Sequence, residues 1–294
     1  MPKRVRVFLI NTCRTVILFP NAKINLGLNI VGLRPNGYHD IESVFIPVGL
    51  TDALEIALPE GDAPEWTLQT SGNPVAVSPE KNLCVKALIA LKKYVPVPPV
   101  ALHLHKVIPD GAGLGGGSAD AAFVLRGLND LLKLQLPTET LRRIAAGIGA
   151  DCPFFVSGKP AFCTGIGDIA EPVDLTNLNG MRIVVVVPEG AVSTAEAYAN
   201  IPVSRPEICV KDAVAKDIAQ WKNLIRNDFE DYVATRIADV AFYKKTLYDH
   251  GALYAQMSGS GSSVFGIFPS EGSPLPLKES FPNSRCYWSG VIRV

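Results

Sequence analysis

Residues 109–118 read PDGAGLGGGS, with five glycines in the seven positions 111–117. Because glycine has no Cβ, its backbone reaches positive φ, and several N–H groups can converge on one anion. A helical segment, 119–134, follows, and the first turn of a helix adds unpaired N–H groups and the positive end of the helix dipole. The segment therefore predicts a phosphate-binding loop that leads into a helix. Ser118 is the expected N-cap of this helix, or its hydroxyl faces a phosphate or a metal.

Other glycine-rich loops fit less well. Residues 111–116 satisfy the dinucleotide pattern G-x-G-x-x-G, but that pattern needs a strand with an acidic end about 20 residues later, and here another helix follows. The G-x-x-x-x-G-K-[ST] loop is absent from the sequence, since Gly158-Lys159 is followed by Pro160. The protein-kinase signatures are missing as well. Tight packing is the remaining alternative, and a turn does not require five glycines in seven residues.

The overall composition excludes several classes of partner. The 294 residues include 28 basic and 28 acidic side chains, and 48% of the residues are hydrophobic. This length predicts about two domains. A net charge of zero argues against nucleic acid or an anionic membrane as the main partner, because both are bound by strongly basic faces. No apolar run reaches the 18 or so residues of a membrane span. We expect a cytoplasmic protein, monomeric or homodimeric, that binds small molecules.

The cysteines and the N-terminus agree with this expectation. The six cysteines are scattered, with no C-x-x-C pair, which predicts buried free thiols in a reducing compartment. They are Cys13, Cys84, Cys152, Cys163, Cys209 and Cys286. Polar residues interrupt the apolar run near the N-terminus, so we predict no signal peptide there. Residues 1–15 are interpreted as an extension, or as the product of a misassigned start codon.

Hydrophobic periodicity predicts an α+β fold, because strands and helices are mixed without regular alternation. Residues 272–282 contain three prolines, so we expect a short helix or none there. The predicted strands are 22–31, 41–58, 100–107, 181–187, 253–257 and 263–268. The predicted helices begin at residues 83, 119 and 138 and also cover 211–223 and 228–250.

Residues 109–122 resemble the ATP loop of the GHMP kinases, the superfamily of galactokinase, homoserine kinase, mevalonate kinase and phosphomevalonate kinase. Two further motifs resemble that superfamily and occur in its order, PNAKINL at 20–26 and MSGSGSSVF at 257–265. The resemblance begins near Phe19 and thins after residue 270. It implies a two-domain α+β fold with the active site between the domains. Residues 16–165 would form an ATP-binding domain like ribosomal protein S5 domain 2, and 166–294 a ferredoxin-like domain.

Three segments point to one group within the superfamily. The triple glycine 115–117, RPNGYH at 34–39 and GADCPFF at 149–155 resemble the kinases that phosphorylate the 2-hydroxyl of 4-diphosphocytidyl-2-C-methyl-D-erythritol, in the non-mevalonate route to isoprenoid precursors. One alternative is a superfamily kinase for homoserine or a mevalonate-type acid, but those substrates carry a carboxylate and no base. A second alternative is a non-catalytic sensor of the same fold. Retention of Lys23 and Asp151 argues against the sensor.

The resemblance assigns catalytic roles to Lys23 and Asp151. Asp151 would receive or orient the proton of the attacking hydroxyl, and Lys23 would keep Asp151 ionised and stabilise developing charge. Taken alone, Lys23 would be interpreted as a surface lysine at a strand start, and Asp151 as a helix-ending or capping residue. Mg²⁺ is expected with ATP, but no carboxylate pair marks a fixed site. The metal ligands therefore stay unknown, with Ser118 as a candidate contact.

The predicted ATP site centres on residues 111–117, called the glycine loop below. Asn82 would read the adenine edge, or it is simply an N-cap. Lys106 would meet a phosphate, or it is a solvated charge at a strand end. Asp110 departs from the expected pattern, because it places a negative charge beside an anion site. The full set is Asn82, Lys106, Pro109, Asp110, Gly111, Ala112, Gly113, Leu114, Gly115, Gly116, Gly117 and Ser118.

The resemblance also implies a pocket for the substrate. Tyr38 would stack on cytosine and His39 would hydrogen-bond the ring edge, although the two could also be an ordinary pair after a turn. Tyr198 is a candidate for the opposite stacking face, and Asn25 for a contact to the polar tail. The late loop, residues 258–261, would close on the phosphates and the reacting hydroxyl through Gly259, Ser260 and Gly261. A tight hairpin without a ligand is the alternative for that loop.

Overall fold

A computed structural model describes residues 14–272 and 275–294. Predictions for residues 1–13, including Cys13 and most of the expected extension, lie outside the described residues. The chain divides into two compact units, and neither is a continuous stretch. Unit 1 holds the described residues up to Ala22, Leu50–Asp110 and Gly115–Gly158, and unit 2 holds Lys23–Gly49, Gly111–Leu114 and Lys159–Val294. The predicted division at residues 165 and 166 stays a prediction.

The described residues form both strands and helices, and the predicted α+β class is confirmed. The strands are β1 (Thr15–Leu18), β2 (Asn21–Leu33), β3 (His39–Thr51), β4 (Ala53–Ala57), β5 (Trp66–Gly72), β6 (Val100–Lys106), β7 (Ala161–Thr164), β8 (Ile169–Pro172), β9 (Arg182–Pro188), β10 (Tyr254–Met257), β11 (Val264–Phe268) and β12 (Ser284–Val291). The helices are α1 (Leu83–Lys92), α2 (Gly116–Leu131), α3 (Thr138–Ala146), α4 (Cys152–Ser157), α5 (Thr194–Ala199), α6 (Val210–Val214), α7 (Ile218–Leu224), α8 (Glu230–Arg236) and α9 (Asp239–Asp249).

Unit 1 is built on a sheet of order β1-β4-β6-β5, in which β5 runs parallel to β6 and the other pairs are antiparallel. Along β6, Leu102 and Leu104 are buried while His103 and His105 are exposed, the alternation expected of a half-buried strand. Helix α2 packs on the buried face of the sheet. It approaches so closely that a Cβ on Gly127 would lie 2.5 Å from Leu18 Cδ1.

Unit 2 contains two sheets. One has the order β2-β3-β7-β8, and β2 carries Lys23 and Asn25. The other has the order β10-β11-β9-β12 with antiparallel neighbours throughout. This is the strand order of a ferredoxin-like sheet, as the resemblance implies. Its core includes Val184 on β9, Met257 on β10 and Leu247 on α9.

Several element boundaries differ from the predictions. The predicted helix 228–250 is two helices, α8 and α9, and the predicted helix 211–223 is likewise α6 and α7. The break after α8 occurs at Ile237, whose backbone is extended at φ −133° and ψ 91°. Val233 and Val240 lie on either side of the break and are both buried in one core. Hydrophobic spacing therefore runs through the break without revealing it.

The proline-rich segment forms one short 3₁₀ turn, Lys278–Ser280, among its described residues, as its prolines predict. Among the described residues, no helix is long and apolar enough to cross a membrane. The five described cysteines are free thiols, and Cys84, Cys152 and Cys163 are buried.

Candidate active site

Lys23 is buried, which contradicts its interpretation as a surface lysine. It lies on β2 with 3% of its surface exposed. Its ammonium donates to Asn25 Oδ1 at 2.5 Å and lies 4.6 Å from the centre of the Phe45 ring. Its backbone N–H donates to Leu114 O at 2.9 Å, so the strand holds the glycine loop directly. A buried ammonium is costly unless anions or strong acceptors surround it.

The carbonyls of the glycine loop are bound by unit 2. Ser263 N–H donates to Ala112 O at 3.1 Å and Lys23 N–H donates to Leu114 O at 2.9 Å. Between them, the Ser258 hydroxyl donates to Gly113 O at 3.0 Å. In a trans peptide the C=O and the following N–H point in opposite directions. The N–H groups that follow these three carbonyls therefore point away from their partners.

Gly113 shows why this loop needs glycine. Its φ is +76°, and a Cβ would lie 2.1 Å from Ser258 O, so no other residue fits. Gly115 also has positive φ, +71°, and is the N-cap of α2. Successive N–H groups in such a turn, followed by a helix N-terminus, form an anion-binding concavity.

The prediction that Ser118 caps α2 is wrong. Because Gly115 takes the left-handed conformation, the helix begins at Gly116, and Ser118 lies within its first turn. The Ser118 hydroxyl is hydrogen-bonded to the Cys152 thiol. Burial raises the pKa of this thiol to about 12. The thiol is therefore protonated at neutral pH and is no candidate nucleophile. The contact of Ser118 with ATP stays a prediction.

The late loop is held by a side chain from a distant segment. The Asn227 amide nitrogen donates to Met257 O at 2.9 Å and to Gly259 O at 2.8 Å. Glu230 accepts from Met257 N–H at 2.9 Å. The Ser260 hydroxyl lies 3.1 Å from the hydroxyl of Thr194. Within unit 2, Gly259 also packs against the glycine loop and β2, since a Cβ on Gly259 would lie 3.1 Å from Gly113 Cα and 3.3 Å from Asn25 Oδ1.

Two of the three candidate base-binding residues, His39 and Tyr198, are in direct contact. His39 begins β3, and its ring stacks on Tyr198 with centroids 4.9 Å apart and planes 26° apart. The Tyr198 ring also packs edge-to-face against Phe229, with ring centroids 4.8 Å apart. Tyr38 stands in the preceding turn with 59% of its surface exposed, and its carbonyl accepts from Arg34 N–H at 2.7 Å.

The remaining predicted residues belong to unit 1. Asn82 caps α1, since its Oδ1 accepts from Cys84 N–H at 2.9 Å, while contact with adenine stays a prediction. Asp151 occupies the N-cap position of α4, as the capping interpretation expects, but its side chain makes no capping hydrogen bond. Asp110 is exposed and Pro109 is buried. The predicted pairing of Asp151 with Lys23 stays a prediction.

Lys106 is neither solvated nor at a surface, with 3% exposure. Its ammonium lies 2.5 Å from Asp52 Oδ2 and 2.8 Å from Asp120 Oδ2. Asp52 Oδ1 accepts from the N–H groups of Val107 and Ile108 at 2.6 and 2.8 Å, at the entry to the glycine loop. Burial lowers the pKa of Lys106, but the two carboxylates outweigh it and leave the pKa raised. The solvated alternative is therefore wrong, and contact with a phosphate stays a prediction.

Asp120 completes this buried cluster in unit 1. Its Oδ1 is buried and has no hydrogen-bond partner among residues 14–272 and 275–294. Burial raises the pKa of Asp120 to about 8, and the charge of Lys106 offsets only part of that effect. Burial therefore favours the protonated form of Asp120 in this cluster.

Sequence reasoning missed the burial of Lys106, its partners Asp52 and Asp120, and the contacts of Ser258 and Asn227. Strand alternation could have placed Lys106 on the buried face with Leu102 and Leu104. No local pattern marks the others, because Ser258 and Asn227 meet partners far away in the sequence.

Two sequence profiles match the chain. The profile described as GHMP kinases N terminal domain matches residues 82–159, and the profile described as GHMP kinases C terminal matches residues 209–287. The first contains the glycine loop and Asp151, and the second contains Asn227 and the late loop.

Named relatives cover nearly the whole chain. The 4-diphosphocytidyl-2-C-methyl-D-erythritol kinase of Parabacteroides distasonis is 49% identical over 279 residues, covering 94% of this chain and 100% of that protein. A crystal structure of 4-(cytidine 5'-diphospho)-2C-methyl-D-erythritol kinase matches with a TM-score of 0.74 and 27% identity, covering 93% of this chain and 98% of the other. The mevalonate kinase of Methanococcus jannaschii, with a TM-score of 0.67, 13% identity and coverage of 95% and 98%, is similar in fold alone.

Proposed function

Since the chain belongs to the 4-diphosphocytidyl-2-C-methyl-D-erythritol kinase family of GHMP kinases, we propose that it phosphorylates this cytidyl alcohol. The reaction transfers the γ-phosphate of ATP to the 2-hydroxyl of 4-diphosphocytidyl-2-C-methyl-D-erythritol. It would be a step in the methylerythritol phosphate route to isoprenoid precursors.

The observation that carries the proposal is the orientation of the glycine loop. The carbonyls of residues 112–114 are bound by Ser263, Ser258 and Lys23, so the N–H groups of residues 113–115 point the opposite way. N–H groups presented in this way suit the phosphates of ATP. We assign ATP phosphates to this concavity.

Phosphoryl transfer requires positioning and charge stabilisation from the protein. We assign the Lys23 ammonium the role of stabilising the charge that develops on the transferred group, because it is buried on β2 within the family motif at residues 20–26. We assign the Asp151 carboxylate the role of orienting or receiving the proton of the attacking hydroxyl, as the family motif at residues 149–155 implies. Asn25, Gly259, Ser260 and Gly261 are assigned to the substrate side of the site.

Magnesium is proposed to arrive with ATP. Mg²⁺ prefers oxygen ligands and usually keeps several waters while binding substrate phosphates and one or two carboxylates. The hydroxyl of Ser118 and the carboxylate of Asp151 are oxygen donors of this kind in unit 1. The ion would neutralise phosphate charge. The described residues contain no group of three or more metal-ligating side chains, and a fixed protein cage is not required for this chemistry.

The cytidyl half of the substrate is assigned to Tyr38, His39 and Tyr198. His39 and Tyr198 already present stacked rings 4.9 Å apart, and aromatic faces stack on bases. Tyr38 is exposed and can close on a base from its turn. An amino or hydroxy acid without a base would make no use of these rings.

We infer a cytoplasmic setting from the cysteines. The described cysteines are free thiols, which suits a reducing compartment.

The proposal is tested by ADP release from ATP and Mg²⁺ with the cytidyl alcohol, homoserine and mevalonate offered separately. Turnover with the cytidyl alcohol alone is expected. Turnover with another alcohol would keep the kinase assignment and overturn the substrate. No ADP release with any of the three alcohols would favour a non-catalytic sensor.

A further inference from the structure

Ser43 is hydrogen-bonded to Asn25, the partner of Lys23, and is fully buried, with 0% exposure. It belongs to β3, the strand next to β2. Its hydroxyl lies 2.6 Å from Gly27 O and 2.8 Å from Asn25 Nδ2. A carbonyl oxygen can only accept, so the single hydroxyl proton of Ser43 is donated to Gly27.

The orientation of the Asn25 amide follows from this arrangement. With its proton used, Ser43 can only accept from Asn25, so the amide NH₂ must face Ser43. The amide oxygen then faces the Lys23 ammonium at 2.5 Å. The flipped amide would place NH₂ against an ammonium and a carbonyl oxygen against a hydroxyl that has no proton left. Both sides of the amide therefore select the same orientation.

This chain of hydrogen bonds gives the Lys23 ammonium one neutral acceptor, the Asn25 amide oxygen. An amide oxygen is a strong acceptor but carries no net charge, whereas a carboxylate in its place would compete for the ammonium. Phe45 covers another side of the ammonium at 4.6 Å. One N–H of the Lys23 ammonium is thus directed at Asn25, and Asn25 is held by Ser43.

We propose that Ser43 is a positioning residue for Lys23, which it orients through the Asn25 amide for phosphoryl transfer. The inference rests on the proposed function, because that function assigns Lys23 to the reaction. Ser43 touches neither ATP nor the alcohol in this scheme. Its loss should therefore act on turnover rather than on the affinity for either substrate.

The test is the steady-state kinetics of Ser43→Ala. Without the hydroxyl, the Asn25 NH₂ and Gly27 O lose a partner, and the amide can rotate away from Lys23. We expect kcat to fall about 10- to 100-fold, because small displacements of a catalytic group have effects of that size. KM for ATP and for the cytidyl alcohol should change less than about threefold.

Two variants that have the same shape as each other separate the effect of the hydroxyl group from the effect of side-chain volume. Ser43→Thr keeps the hydroxyl and Ser43→Val replaces it by a methyl group, and both residues suit a strand. Thr should restore most of the turnover and Val should not. This pair also serves if Ser43→Ala fails to fold. Ser284→Ala is the matched control, since the buried Ser284 hydroxyl has no partner among the described residues.

The outcomes are distinct. Wild-type kcat in Ser43→Ala, or equal kcat in the Thr and Val variants, would overturn the positioning role. A fall in kcat that appears equally in Ser284→Ala would overturn it as well. If the wild-type protein does not turn over the cytidyl alcohol, the proposed function fails instead. A crystal structure of Ser43→Val with the Asn25 amide still on Lys23 would then count against this inference independently.

Discussion

The side-chain nitrogen of Asn227 lies 2.8 Å from the carbonyl oxygen of Gly259, in the late loop. The same nitrogen donates to Met257 O, and Asn227 Oδ1 accepts from Phe229 N–H at 3.0 Å. Asn227 itself pairs with Leu28 on β2, the strand that carries Lys23. One buried amide therefore joins the late loop to β2.

Replacing Asn227 should destabilise the protein. Asn227→Ala leaves two buried carbonyls and one N–H without this partner, so we expect a loss of about 2 kcal/mol or more in the free energy of unfolding. Urea unfolding measures it. Asn200→Ala removes an exposed amide bonded to Glu196 O and should change stability by less than about 0.5 kcal/mol. Equal effects of the two substitutions would show that the buried contacts contribute little.

Asp151→Asn should remove most of the turnover. The amide keeps the shape of the carboxylate but cannot receive a proton, so kcat should fall at least about 100-fold. Binding of ATP, measured by calorimetry, should stay nearly unchanged. Asp174→Asn, at an exposed turn residue that accepts from Thr176 N–H, is the control. Near wild-type turnover in Asp151→Asn would contradict the assignment.

The aromatic residues near β3 should determine affinity for the cytidyl group. Tyr198→Ala and Tyr38→Ala should each raise KM for the cytidyl alcohol about 5- to 100-fold, the range expected for one lost stacking contact. KM for ATP should hardly change. Tyr94→Ala, at an exposed tyrosine of unit 1, provides the comparison. A similar rise in both KM values would move these rings out of the base pocket.

The buried cluster of Lys106, Asp52 and Asp120 should make stability depend on pH. Burial raises the pKa of Asp120 from 3.8 to about 8. Between these values the unfolded chain releases the proton and the folded chain keeps it, so stability falls as pH rises. Asn mimics the protonated acid and does not titrate.

The free energy of unfolding of Asp120→Asn, relative to that of the wild type, should therefore increase from pH 4 to pH 8 and then level off. Urea unfolding of both proteins at several pH values measures this difference. A difference that is constant over the range would mean that Asp120 is ionised in the folded protein.

Local patterns predicted the elements that position the site. The glycines of 111–117 predict a phosphate loop because their conformational freedom is a property of the residues themselves. The hairpin of β10 and β11 follows from two apolar runs separated by glycines and serines. Helices α8 and α9 were predicted as one helix, because both present the same face to one core and apolar spacing does not record a break in the backbone.

Side chains that act over long sequence distances were beyond such patterns. Asn25 and Ser258 are 233 residues apart, yet Asn25 N–H donates to Ser258 Oγ at 3.1 Å. Strand alternation places Lys106 on the buried face, but it does not reveal Asp52, an acidic partner 54 residues away that helps to make this burial possible.

The sequence by itself determined the α+β class, the glycine loop and the family motifs, since each depends on residue types within a short segment. The tertiary structure alone decided that Ser43 orients the Asn25 amide and that Asn227 holds Gly259. These relationships depend on which donors and acceptors the packed strands bring within 3 Å of each other. Hydrogen bonds act only at such distances, and separation along the chain does not record them.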